Sequence, residues 1–285
     1  MPPVRPFHGR KLTSRRGPLT SLVAFIVLSG ALIGMAPASE VVVIYDVVYG
    51  DHEGEPLLLD VYRTQDATKR PVLIAVHGGS WRKRSKSSWA NLAPRYAKHG
   101  YVVFAINYSL APPGGDETFP APVNDVSLAL QWAQDHAYEY GGDPNRIGVV
   151  GSSAGGHLGL MAGASGGVSP DAIAVFSPPT ELRSLRRDGV LVGSIEKFLG
   201  CEPKECPETY RQASPVYQVD PWSPPTFLAY STDEMIPLRQ PRLLKRQLNE
   251  QGVPSTYVKN EGTAHGQGVA RLVMTQTLEF FDQHL

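Results

Sequence analysis

The sequence predicts an α/β fold: a mostly parallel sheet of about eight strands, with helices on both faces and a small cap insertion. Three observations point there. Short apolar runs rich in Val and Ile recur, as strands buried on both faces require. Helix-compatible segments that stop at glycine separate them. The alternation spans nearly everything after residue 40, and strands alternating with helices imply a parallel sheet.

Taken in order, VVVIYDVVYG (41–50) and PLLLDVYR (56–63) flank the polar DHEG and read as a hairpin. PVLIAV (71–76) is a buried strand. WANLAPRYAKHG (89–100) is helix-like and stops at Gly100, and YVVFAINY (101–108) is the next buried strand. Residues 123–140 place Val126, Leu130, Ala133 and Ala137 at helical spacing and stop at Gly141-Gly142. RIGVVG (146–151) is a strand, 154–164 a helix and AIAVFS (172–177) a strand. TFLAYS (226–231) and STYVKN (255–260) are strands flanking a helix over 238–252 that Pro241 should interrupt, and the segment from Gly268 ends amphipathically. Residues 178–220 are irregular and too long for a plain connection, so they read as a small cap over one end of the sheet. They hold the only two cysteines, Cys201 and Cys206, whose short separation suits a local disulfide; two free thiols are the alternative.

Residues 1–38 differ from the rest. Arg5, Arg10, Lys11, Arg15 and Arg16 precede an apolar run, Leu19 to Ala36, that ends in Ala36-Pro37-Ala38. A basic head, an apolar middle and small residues describe an export signal cleaved after Ala38, leaving a domain over 39–285 in the periplasm or the medium. A retained membrane anchor is the alternative; after cleavage no stable membrane insertion is expected. The chain has 27 basic and 27 acidic residues, and 1–38 hold five of the basic ones and none of the acidic, so the remainder carries −5. That argues against a nucleic-acid partner, which needs a net basic face.

The chemistry centres on Gly151-Ser152-Ser153-Ala154-Gly155, a G-x-S-x-G pattern between a strand and a helix-compatible segment. Only Ser153 has glycine two before and two after it, so Ser153 is the candidate nucleophile. A serine hydroxyl needs a base to take its proton. His265 lies after the last strand and is the candidate base. Asp233, after TFLAYST, is the candidate acid, with Glu234 next to it. The order Ser, Asp, His and the three strand-end positions agree with a nucleophile-elbow hydrolase. His77-Gly78-Gly79-Ser80-Trp81 follows a strand, and glycine there lets backbone approach a ligand. Gly78, Gly79, Ser80 and Ala154 are the candidate oxyanion hole, through the N–H groups of Gly79, Ser80 and Ala154. His77 is read as structural, Trp81 as packing beneath the loop, and His157 as a satisfied buried residue. The run Arg82-Lys83-Arg84-Ser85-Lys86 reads as a solvated loop at the pocket mouth; its sharper alternative is a preference for anionic or polar esters.

HGGSW, DPNRIGVVGSSAGGHL, TDEMIP and GTAHG together resemble the carboxylesterase branch of the α/β-hydrolase superfamily. The similarity extends to hormone-sensitive-lipase-like esterases, kynurenine formamidases, isoprenylcysteine methylesterases and bacterial feruloyl- or acetyl-esterase-like proteins, and covers essentially all of 41–285. Two departures stand out: Asn107-Tyr108-Ser109 replaces the D-Y-R of the lipase-like proteins, and Ser80 replaces their third glycine. The resemblance implies Ser153 as nucleophile, Asp233 as acid, His265 as base and 78–80 as the oxyanion loop. It implies a serine carboxylesterase acting on small-molecule esters, needing neither metal nor organic cofactor. An amide hydrolase on the same triad, or a noncatalytic binding protein, are the alternatives.

Overall fold

Eight strands lie in the order β1-β2-β4-β3-β5-β6-β7-β8 in a computed structural model that describes residues 40–111, 119–164 and 167–285. The strands are β1 (Val41–His52), β2 (Glu55–Thr64), β3 (Arg70–Val76), β4 (Val102–Ile106), β5 (Gly142–Ser152), β6 (Ala172–Phe176), β7 (Thr226–Ser231) and β8 (Ser255–Asn260). Only the pairings of β2, with β1 and with β4, are antiparallel. The leading hairpin therefore enters the sheet as expected. The export signal expected at 1–38 lies outside the described residues, among which no helix is long and apolar enough to cross a membrane.

Alternation along the central strands builds two cores, because successive side chains of a strand face opposite ways. Val72, Ile74 and Val76 of β3 join Val102, Phe104 and Ile106 of β4 in one cluster, with Val126 and Leu130 of α2 (Ala121–His136) and Leu158 of α3 (Ala154–Ala162). Leu73, Ala75, Val103 and Ala105 face the other way. They pack with Tyr96 of α1 (Ala93–Lys98) and Phe281 of a C-terminal helix (Met274–His284). β3 and β4 are thus covered on both faces, which is why each reads as an unbroken apolar run.

Residues 178–220 carry three short helices, α4 (Leu182–Arg187), α5 (Val192–Leu199) and α6 (Pro207–Gln212), with Cys201 and Cys206 joined as a disulfide. Ile195, Phe198 and Tyr210 from this segment are fully buried in the first cluster. One expectation is corrected beyond it. Pro241 does not interrupt the helix α7 (Arg239–Glu250), because it stands in the first turn, where a backbone N–H has no intrahelical partner to lose. Its neighbour Gln240 is buried, and its Oε1 accepts from the backbone N–H groups of Thr180 and Glu181, both at 2.8 Å. Two helices close the chain, α8 (Gln267–Leu272) and α9 (Met274–His284).

The topology fixes where a site can form. The chain leaves β3 to lay β4 on one side and later returns to lay β5 on the other. Ligands bind at the carboxyl ends of strands where the order reverses in this way. Val76 pairs with Gly151 and Ser152 with Phe176, so the residues following β3, β5 and β6 emerge side by side.

Candidate active site

Ser153 sits between β5 and α3 with φ 52° and ψ −123°, a backbone region that side chains rarely adopt. The turn holds because its neighbours are small. A Cβ on Gly155 would overlap the carbonyl oxygens of Val76 and His77, and one on Gly151 would come within 2.6 Å of the Gly155 carbonyl oxygen. The Ser153 N–H donates to Phe176 O at 2.8 Å, tying the turn to β6. Gly155→Ala should therefore destabilise the fold by about 2 kcal/mol or more, seen as a lower urea midpoint; an unchanged midpoint would refute the close approach.

His265 stands beyond β8 and puts Nε2 at 3.0 Å from Ser153 Oγ. Its Nδ1 is 2.5 Å from Glu234 Oε2. The carboxylate behind the histidine is thus Glu234, and the expectation of Asp233 is corrected. Asp233 is exposed, accepts from Thr232 Oγ1 at 2.9 Å, and is tied through its N–H to Gly262 O. The Glu234 side chain is fully buried. Its Oε1 accepts from Ser177 Oγ at 2.8 Å and from the Ser231 N–H at 3.0 Å. Ser177, at the end of β6 with φ 55°, was given no role by any motif. It also accepts from the Gly266 N–H at 3.0 Å, so one hydroxyl ties both the Glu234 carboxylate and the loop that carries His265.

The loop after β3 runs through the left-handed region, with φ 135° at Gly79, 56° at Ser80 and 60° at Trp81. A Cβ on Gly79 would overlap Lys83 O, so glycine is required there. Among the described residues the N–H groups of Gly79 and Ser80 donate to no protein acceptor. Ala154, the first residue of α3, follows Ser153 directly and is buried. Gly78, Gly79, Ser80, Ser153 and His265 line one cleft of about 500 Å³, and no residue of 178–220 is in that lining.

Beneath the loop, Trp81 is fully buried and stacks on Phe198 of α5 with ring centroids 4.8 Å apart. Its Nε1 donates to His157 Nδ1 at 3.2 Å, and His157 Nε2 donates to Ala213 O at 2.8 Å. His157 is the satisfied buried residue that was expected. Burial pushes its imidazole down to about 4, against the opposing bond to Ala213. His77, stacked on Tyr108, is likewise pushed down to about 4 by burial, with the Gly78 carbonyl opposing and the Arg84 charge adding to the fall. Both are neutral when folded, while the unfolded chain binds protons near the ordinary value of about 6.5. Their contribution to stability is full above that value and is lost as pH falls from there toward about 4. The unfolding free energy from urea titrations should fall over this window, by on the order of 3 kcal/mol per histidine, and less steeply in His157→Gln; equal slopes would contradict the assignment.

Residues 59–248, which hold Ser153 and Glu234, match the family model BD-FAE. The chain belongs to the BD-FAE family. It is an α/β hydrolase of the carboxylesterase branch, with the sheet and flanking helices of that fold. Among curated relatives, the BD-FAE chain is 32% identical over 242 residues to esterase LipC of Mycobacterium tuberculosis, covering 77% of this chain and 59% of that one. It is 30% identical to the probable carboxylic ester hydrolase LipM of the same organism, covering 77% and 55%. It thus spans little more than half the length of these relatives. Among solved structures it is similar to the esterase Est2 of Thermogutta terrifontis in its propionate-bound form, with TM-score 0.66 and 26% identity over 87% of this chain and 93% of that one. That esterase is also known phosphonylated by sarin.

Proposed function

We propose that this BD-FAE protein hydrolyses small or short-acyl carboxylic esters through an acyl-enzyme on Ser153. The observation that carries the reading is the hydrogen-bonded line from Ser153 through His265 to Glu234. Ser153 Oγ attacks the ester carbonyl carbon while His265 Nε2 takes its proton. The charge that develops on the carbonyl oxygen is met by the N–H groups of Gly79, Ser80 and Ala154. His265 then gives the proton to the leaving alkoxide, and the C–O bond breaks to release the alcohol. Water attacks the acyl-enzyme, loses its proton to His265, and expels the acid as Ser153 recovers that proton. Glu234 holds Nδ1 protonated throughout and offsets the imidazolium charge, which makes it, rather than Asp233, the acid of the proposed triad.

The names of LipC and LipM support ester hydrolysis, and the propionate in Est2 supports a short acyl group. Phosphonylation of Est2 by sarin is the chemistry of an activated nucleophile. The Cys201–Cys206 bond, together with the basic and apolar residues 1–38, supports an exported protein, since disulfides persist in oxidising compartments. A panel of acetyl to octanoyl para-nitrophenyl esters, a feruloyl ester, an acetylated sugar and an arylformamide tests the reading. Turnover should be highest among the shorter acyl esters; turnover of the arylformamide alone would make it an amide hydrolase instead.

A further inference from the structure

Only part of the run 82–86 is committed to the fold. Lys86 Nζ pairs with Asp46 at 2.8 Å and with buried Asp60, and its N–H donates to Asn107 Oδ1 at 2.8 Å. Lys83 and Arg84 instead line the cleft at Ser153, and Arg271 of α8 joins them from the His265 side. The lining contains these three cations and no carboxylate. Among the described residues none of the three enters an ion pair. Glu53 and Glu55 border a neighbouring cleft that Arg84 also reaches, and neither is paired with it. Gln267 lines the cleft at Ser153, and its Nε2 is buried with no hydrogen-bond partner among the described residues.

Arg84 is held there at a conformational cost. Its φ of 78° is unfavourable for a long side chain, and its Cγ lies against Gly79, where an added Cβ would be 3.3 Å away. Three unpaired charges of one sign around a single cleft raise the local concentration of anions. A guanidinium presents parallel N–H donors that match a carboxylate, and an alkyl group in the same place would desolvate the cations without replacing their hydrogen bonds.

We propose that this site selects esters that carry a carboxylate near the scissile bond, held by Arg84, Lys83 and Arg271. The inference rests on the ester-hydrolase reading above and names its substrate class. Two matched pairs test it: para-acetoxybenzoate against its methyl ester, with the charge on the alcohol side, and mono-para-nitrophenyl glutarate against para-nitrophenyl pentanoate, with the charge on the acyl side. The anionic member of at least one pair should have a kcat/KM about tenfold higher, mainly through KM, and the preference should shrink as salt rises. Arg84→Gln and Arg271→Gln should each lower that anionic-to-neutral ratio at least about threefold, whereas Arg246→Gln, a matched loss of charge on α7, should not. A neutral preference in both pairs, or a ratio that the two cleft variants leave as in the wild type, overturns the inference. Hydrolysis of the neutral esters without charge preference would leave the ester-hydrolase reading standing. Failure to hydrolyse any of the four, with no labelling by a fluorophosphonate, would remove that reading itself.

Discussion

Replacing Glu234 by Gln should lower kcat for para-nitrophenyl acetate by about 10³- to 10⁴-fold, while Asp233→Asn should change it by less than about threefold. The asymmetry follows from the donors around Glu234. Ser231 N–H and Ser177 O–H both point at Oε1. The Ser231 backbone N–H can only donate, so the atom facing it must be an acceptor. In the amide variant the carbonyl oxygen must take that position, which leaves the NH₂ group facing His265 Nδ1. Two donors cannot face each other, so Nδ1 gives up its proton and Nε2 carries it. An imidazole protonated at Nε2 cannot take the proton of Ser153. The shape and burial of the side chain are kept, so the loss is one of tautomer. Comparable losses in Glu234→Gln and Asp233→Asn would contradict this assignment of the acid.

Ser153→Ala should lower turnover of the same ester by about 10⁵- to 10⁶-fold, whereas Ser152→Ala should retain most of it. The two serines are adjacent but differently placed. Ser152 is the last residue of β5, buried and paired in register with Phe176. Ser153 is turned out of the strand at φ 52°, with its hydroxyl on His265. On the proposed mechanism, removing it takes away the attacking atom and leaves the loop after β3 in place. Equal losses in both variants, with both folded by circular dichroism, would contradict the choice.

The glycine spacing in G-x-S-x-G points to the serine whose hydroxyl meets His265, because the contacts that exclude a Cβ at Gly151 and Gly155 are local to that turn and the strand beside it. Strands β3 to β7 were legible for a similar reason: burial on both faces leaves an apolar run with no alternation to misread. The acid was not legible. Asp233 and Glu234 are consecutive, both follow β7, and no spacing rule separates them. The choice is made by Ser177, 57 residues away in the chain. Helices α4 to α6 were hidden as well. Each has six to eight residues, too short to be stable alone, and is held by distant contacts such as Phe198 on Trp81. The cleft cations divide in the same way. The run 82–86 is visible, but that Lys86 is consumed by Asp46 and Asp60, and that Arg271 completes the set, depends on tertiary structure.

The most direct test is to treat the protein with a fluorophosphonate, digest it, and locate the adduct by mass spectrometry. A single phosphonyl group on Ser153 is expected, formed quickly in the wild type and far more slowly in Glu234→Gln. An unlabelled protein, or an adduct on Ser152 or elsewhere with Ser153 free, would contradict a nucleophile at this elbow.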